Sequence, residues 1–144
     1  MGYTFKSYNH EHMARAKGMT LPISFKQSVE ICDFISDRNV SDAKKILQNV
    51  IEKKVAIPFK RYNWDLGHKS KIGPGRYPEK ASREFIKLIE LVEANAQFKG
   101  LNTSNLVIAH ISANKGGKAW HYGRQSRRKI KRTNIEIIVE EKSK

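Results

Sequence analysis

Acidic residues are missing from a long stretch of this sequence: between Ala94 and Ile135 there is no Asp or Glu. Cysteine is almost missing as well, and the one present, Cys32, excludes an internal disulfide and fits a reducing, cytoplasmic compartment. No apolar run approaches the roughly 20 residues that a membrane-spanning helix needs. The opening "MGYTFKSYNHEHMARAKGM" has no apolar core of the kind a signal peptide carries, so export is not expected. Met-Gly is an ordinary start, because Lys6 stands where a myristoylation signal requires Ser or Thr. The five histidines find no second cysteine, no His partner at helical spacing and no acidic cluster, which leaves a metal site without a donor set. Phosphate loops are missing too. "GGKAW" lacks the full Walker pattern and "GPGRY" does not follow a strand, so no cofactor is expected.

Positive charge is abundant. Twenty-eight Lys and Arg against 14 Asp and Glu give a net charge of +14 and a pI near 10. A surface so self-repelling calls for a polyanionic partner, nucleic acid first and anionic membrane second. A membrane surface would be met by a basic amphipathic helix, whereas here the excess charge lies in segments that read as loops. No membrane partner is expected.

At 144 residues the chain suits a single domain spanning 1–144. A short extended stretch is predicted near Met13 to Lys17. Ser24 with Gln27 forms a capping-box pattern that opens a first helix, whose apolar stripe is Phe25, Val29, Cys32 and Ile35. A second helix is predicted from Ser41 as N-cap, burying Ala43, Ile46, Leu47, Val50 and Ile51. The third opens at Pro78 and stops at Gly100, with Ala81, Phe85, Leu88, Val92 and Ala96 at helical spacing. Between the second and third helices "IPFKRYNWDLGHKSKIGPGRY" shows no period and reads as a long irregular loop, ordered by Phe59, Tyr62, Trp64 and Tyr77.

Two β-branched runs close the chain, Leu106 to Ala113 and Asn134 to Glu140, with apolar residues at odd positions: Val107, Ala109, Ile111 and Ala113 against Ile135, Ile137 and Val139. They predict an antiparallel ribbon with one face on the helices. The joining segment, Lys115 to Arg132, holds eight Lys or Arg together with Trp120, His121 and Tyr122. Folded as a continuation of the hairpin, with nine residues per side, it would reach about 30 Å at roughly 3.3 Å per residue. The arm is thus predicted over about 106–140, with its basic tip at 115–132.

Both basic loops combine cations with aromatics and glycines, the mixture that grips phosphates and stacks on exposed bases. In the second, Arg124, Arg127, Arg128 and Arg132 can fork onto phosphates or lie flat on a base, beside Lys129 and Lys131. Irregular loops in place of a recognition helix favour RNA over DNA. One catalytic alternative stands beside this: His110 and Glu136 share a face of the proposed ribbon and can in principle exchange protons with a ribose hydroxyl. A solvated cross-strand pair is the simpler account. A free-standing RNA-binding regulator is the other alternative.

The segments "ARAKGMTLPISFKQSVEIC", "IPFKRYNWDLGHKSKIGPGRYPEKASREFIKLIE", "EANAQFKGL" and "TNIEIIVEE" resemble the large-subunit ribosomal protein twenty-two family in its archaeal and eukaryotic form. The resemblance spans nearly the whole chain. It implies an α/β (α+β) fold in two layers, three helices on a small three-stranded sheet in the order β-α-α-α-β-β, with a long protruding C-terminal hairpin. It implies an architectural, non-catalytic role: binding large-subunit ribosomal RNA, aiding assembly and lining the polypeptide exit tunnel with the hairpin. The implied partners are that RNA, neighbouring large-subunit proteins and the nascent polypeptide. Carried onto matching positions, the RNA contacts would be Lys60, Arg61, His68, Lys69, Lys71 and Arg76 in the globular part. Along the hairpin they would be Lys115, Lys118, Arg124, Arg127, Arg128 and Arg132. Two departures stand out: "AWHYGRQ" replaces a slightly longer family tip with a Pro-Arg-Ala element, and Trp64 occupies a position where a basic residue is common.

Overall fold

The computed structural model describes residues 2–142. Its order is β1 (Met13–Leu21), α1 (Phe25–Ile35), α2 (Val40–Ile51), β2 (Ile57–Pro58), β3 (His68–Lys69), β4 (Gly73–Arg76), α3 (Glu79–Phe98), β5 (Leu106–Lys115) and β6 (Thr133–Glu141). The mixed α+β class and the three helices agree with the sequence reading. β1, β6 and β5 form one antiparallel sheet with β6 in the centre. Helix α3 lies along β1 and α2, while α1 lies against β5.

The helix boundaries follow the buried stripes more closely than the capping signals. Ser24 does precede α1, but its side chain makes no capping bond; Ser28 Oγ instead donates to the Ser24 carbonyl at 2.9 Å. The apolar stripe is shifted as well. Ile31, Cys32 and Ile35 are buried, whereas Phe25 and Val29 are only half-buried. In α2 the N-cap is Asn39 and not Ser41, because Val40 belongs to the buried face with Ala43, Leu47 and Val50. Ile46 and Ile51 are half-buried at its margin. Pro78 occupies the N-cap of α3, and all five stripe residues of that helix are buried. Gly100 ends it at φ +78°, a left-handed conformation that suits glycine.

The ribbon reading needs one correction. The register pairs Ile108 with Val139 and His110 with Ile138, so Ala109 is an extra residue on β5. Such a bulge reverses the alternation. Before it the even residues Leu106 and Ile108 enter the core; after it the odd residues Ile111 and Ala113 pack against it. Val107 and Ala109 therefore leave the helix-facing set predicted for them, and Val107 sits opposite Glu140. The long loop also needs correcting. It contains a second antiparallel sheet, ordered β2-β4-β3, in strands of two to four residues. Strands so short leave no periodicity to read.

The other face of the main sheet is covered by the N-terminal segment. Thr4 donates to Glu136 through both its amide and its hydroxyl, and the Phe5 ring stacks on His110 at 5.1 Å between centroids. The Arg15 guanidinium lies 4.5 Å from the ring centroids of both Tyr3 and Tyr8. Lys99 Nζ donates to the Tyr8 hydroxyl and to the carbonyls of His10 and Met13. These contacts bury Ile138 on the face away from the helices.

Candidate nucleic-acid interface

Two loops and one helix end build the basic face. The first loop is fixed to α1 by Glu30, a carboxylate only 1% exposed. It accepts three consecutive backbone N–H groups, from Lys60 (2.9 Å), Arg61 (3.0 Å) and Tyr62 (2.7 Å). An ionised acceptor shared by three amides immobilises the chain at the start of the loop. The cationic side chains of Lys60 and Arg61 remain exposed. Phe59, buried, extends the pairing of β2 with β4, its N–H donating to the Pro74 carbonyl at 2.9 Å. Further on, His68 and Lys69 form β3, Lys71 turns at φ +70°, and Arg76 ends β4 opposite Ile57; all four side chains are exposed.

The arm is the second part. The regular ladder ends at Lys115 and Thr133, yet the hairpin continues through Gly116 N–H to the Arg132 carbonyl (3.0 Å), Ile130 N–H to Ala119 (2.8 Å) and His121 N–H to Arg128 (2.8 Å). Between the first two bonds, Gly117 and Lys118 stand opposite Lys131 alone, a bulge that interrupts the pairing. The arm is thus a broken ladder, where the sequence predicted a plain continuation of the strands. Gly116 allows a close approach just before the bulge: a Cβ would lie 3.0 Å from Arg132 Cβ and 3.2 Å from its carbonyl carbon, tight enough that Arg132 would have to shift. A short 3-10 turn at Gly123–Gln125 closes the tip. Trp120 stays 61% and Tyr122 89% exposed, with Lys129 Nζ 4.5 Å from the Trp120 ring centroid. Lys118, Arg124, Arg127, Arg128, Lys129 and Lys131 are exposed, and His121 and Arg132 half-buried.

The fold brings the base of the arm beside the first loop, over the start of α1. One cleft is lined by Phe25, Lys26, Lys115, Lys118, Lys131 and Arg132. The adjoining cleft is lined by Lys26, Phe59, Arg61, Tyr62, Arg76 and Lys131, among others. Between them Phe25 and Tyr62 meet edge to face at 6.3 Å, with Lys115 Nζ 5.5 Å from the Phe25 centroid. Lys26 Nζ and the Arg61 guanidinium each lie 5.6 Å from the Tyr62 centroid. Among the described residues, the ion pairs engage Lys17, Lys44, Lys53, Lys54 and Lys87, and none engages a cation of these clefts. Uncompensated cations around aromatic rings can take phosphates and bases.

Not every predicted residue joins the clefts. His68, Lys69 and Lys71 lie along the small sheet, with Lys69 Nζ 5.6 Å from the Tyr77 ring centroid, and Trp120 to Lys129 run out towards the tip. Conversely, the sequence assigns Phe25 to the apolar stripe of the first helix and gives Lys26 no role, yet both line the arm-side cleft. Exposed Trp64 lines the second cleft although it carries no charge.

The catalytic alternative loses its geometry. Glu136 pairs with Ser112, and His110 with Ile138, so the two are diagonal rather than opposite. The Glu136 carboxylate, 2% exposed, is taken up by Thr4, by Ser112 Oγ (3.1 Å) and by Asn114 Nδ2 (3.2 Å), with Lys17 Nζ at 3.6 Å. Burial opposes its ionisation, but the bonds from Thr4 and Ser112 and the Lys17 charge outweigh that and hold its carboxyl below the usual range. It is a structural acceptor.

The family described as ribosomal protein L22p/L17e matches residues 16–140. The large ribosomal subunit protein uL22 of Archaeoglobus fulgidus is 39% identical over 148 residues, covering 97% of this chain and 96% of that protein. Its counterparts in Picrophilus torridus and Thermoplasma acidophilum are 43% and 44% identical, each over at least 96% of both chains. A family match over residues 16–140 and identity of that extent over nearly the whole chain mean that the chain belongs to the ribosomal protein L22p/L17e family.

Proposed function

We propose that this chain is a structural constituent of the large ribosomal subunit in the cytoplasm, binding its RNA through the two basic loops and acting without catalysis. The observation that carries this reading is the convergence of unpaired cations and aromatics from separate loops onto one face, in a chain whose relatives are named as large-subunit proteins. Such a face neutralises RNA phosphates, and with the remaining basic residues reaching other segments the protein ties the RNA together during assembly. The cations assigned from the sequence fall into two groups. Arg61, Arg76, Lys115, Lys118, Lys131 and Arg132 serve the clefts; His68, Lys69 and Lys71, with the tip residues, reach other parts of the RNA. Lys60 stands outside both clefts, lining a separate one with Asp33, Phe34 and Arg38.

The arm from 106 to 140 belongs, in this reading, to one domain spanning the chain. Its tip lines the polypeptide exit tunnel, in contact with the nascent chain and near other large-subunit proteins. From Lys115 to Tyr122 the chain can span at most about 23 Å at roughly 3.3 Å per residue, less where the bulge at Gly117 and Lys118 interrupts it, which sets the reach of a tip without the family's Pro-Arg-Ala element. A photo-crosslinker at Tyr122 in intact ribosomes tests this. Crosslinks to large-subunit RNA and to a stalled nascent chain are expected; a protein that sediments apart from large subunits, or a tip that crosslinks neither, would overturn it. Cleavage of RNA by the purified chain, lost on substituting His110 and Glu136 with Ala, would instead establish the catalytic alternative.

A further inference from the structure

Resting on the RNA-binding reading, we infer that the first loop and the base of the arm form a single site for one RNA strand, joined across the start of α1 by Lys26 and Lys131. The two clefts share both of these lysines, together with Ser24. The remaining cations divide between them: Arg61 and Arg76 on the loop side, Lys115, Lys118 and Arg132 on the arm side. A strand crossing this corner meets cations continuously, so successive phosphates fall in adjoining clefts. Their shared wall is the Phe25–Tyr62 pair, which offers a ring edge and face to a base turned inward. The bulge at Gly117 and Lys118 has a purpose in this arrangement. By setting two residues against Lys131, it breaks the ladder at the level where Lys118, Lys131 and Arg132 surround the arm-side cleft.

Cations that hold the same strand are energetically coupled, whereas cations on independent sites contribute additively. Binding of transcribed large-subunit ribosomal RNA is therefore measured for the full chain and for Lys26→Ala, Arg76→Ala, Lys118→Ala and the two doubles that combine Lys26→Ala with each of the others. Lys45→Ala, on the exposed side of α2, serves as the control, and circular dichroism confirms that each variant is folded. Lys26→Ala is expected to weaken binding about three- to tenfold and to flatten the salt dependence by about one phosphate contact. Both doubles are expected to differ from the product of their singles by about threefold or more. If Lys26→Ala matches Lys45→Ala, or if it is additive with both partners, the single-site inference fails while the RNA-binding reading stands. If the unaltered chain does not bind the RNA, that reading fails first.

Discussion

Removing the Glu30 carboxylate should loosen the first basic loop without touching a single cation. Its Oε1 accepts from Arg61 and Tyr62 and its Oε2 from Lys60, at 2.7 to 3.0 Å. A hydrogen bond to an ionised acceptor is worth about 1.5–3 kcal/mol, but the three are not additive, since a relaxed loop lets water reach the amides of exposed Lys60 and Arg61. Only the Tyr62 amide, on a half-buried residue, stays without a substitute. Glu30→Ala should therefore cost about 3 kcal/mol, a fall in Tm of about 6–12 °C at the sensitivity usual for a chain of this size. Glu30→Gln separates shape from chemistry. Its carbonyl oxygen can keep Arg61 and Tyr62, while its amide nitrogen meets the Lys60 N–H as a second donor, so the loss should be about 1 kcal/mol. Thermal unfolding followed by circular dichroism gives the shifts, and amide exchange at residues 60–62 shows whether they arise in the loop. A Glu30→Ala shift below about 2 °C, or exchange unchanged at those amides, would refute the anchoring role.

Other substitutions probe other parts of the fold. Glu136, held below its usual range, should stabilise the native state above the ordinary glutamate value of about 4.3 and lose that contribution as pH falls through its lower native value. The stability gap between the unaltered chain and Glu136→Gln, measured by denaturant titration, should accordingly be constant at neutral pH and close below about pH 4; a gap that widens on acidification contradicts the assignment. Thr20 sits at φ +52°, a left-handed conformation that a β-branched side chain resists, so Thr20→Gly should raise stability by about 1 kcal/mol in the same titration. Deleting Gly117 to Lys131 should preserve a cooperative thermal transition, because the core residues lie outside that segment, while RNA affinity falls. Loss of the transition would mean that the arm is part of the folding unit.

Much of this architecture was legible because it depends on local pattern. The 3.6-residue spacing of Ala81, Phe85, Leu88, Val92 and Ala96 specified α3, and the β-branched runs specified β5 and β6. The acid-free stretch and its arginines pointed to a polyanion whatever the fold, since net charge needs no contacts to act at a distance. Family membership was legible too, carried by quoted segments and not by physical pattern.

Tertiary structure decided what depends on residues distant in sequence. The bulge at Ala109 reversed the facing of β5, and only pairing with β6 could show it. Glu30 reads as a solvated helix position until three amides thirty residues away converge on it. Covering of the outer sheet face by Thr4, Phe5 and Tyr8 likewise follows from partners that no local window contains. The sequence by itself determined the helices, the terminal strands and the strong positive charge, because periodicity and charge are local or additive. The structure alone decided that Lys26, Phe25 and Tyr62 join two basic loops into one face, because a site is a property of distances between side chains.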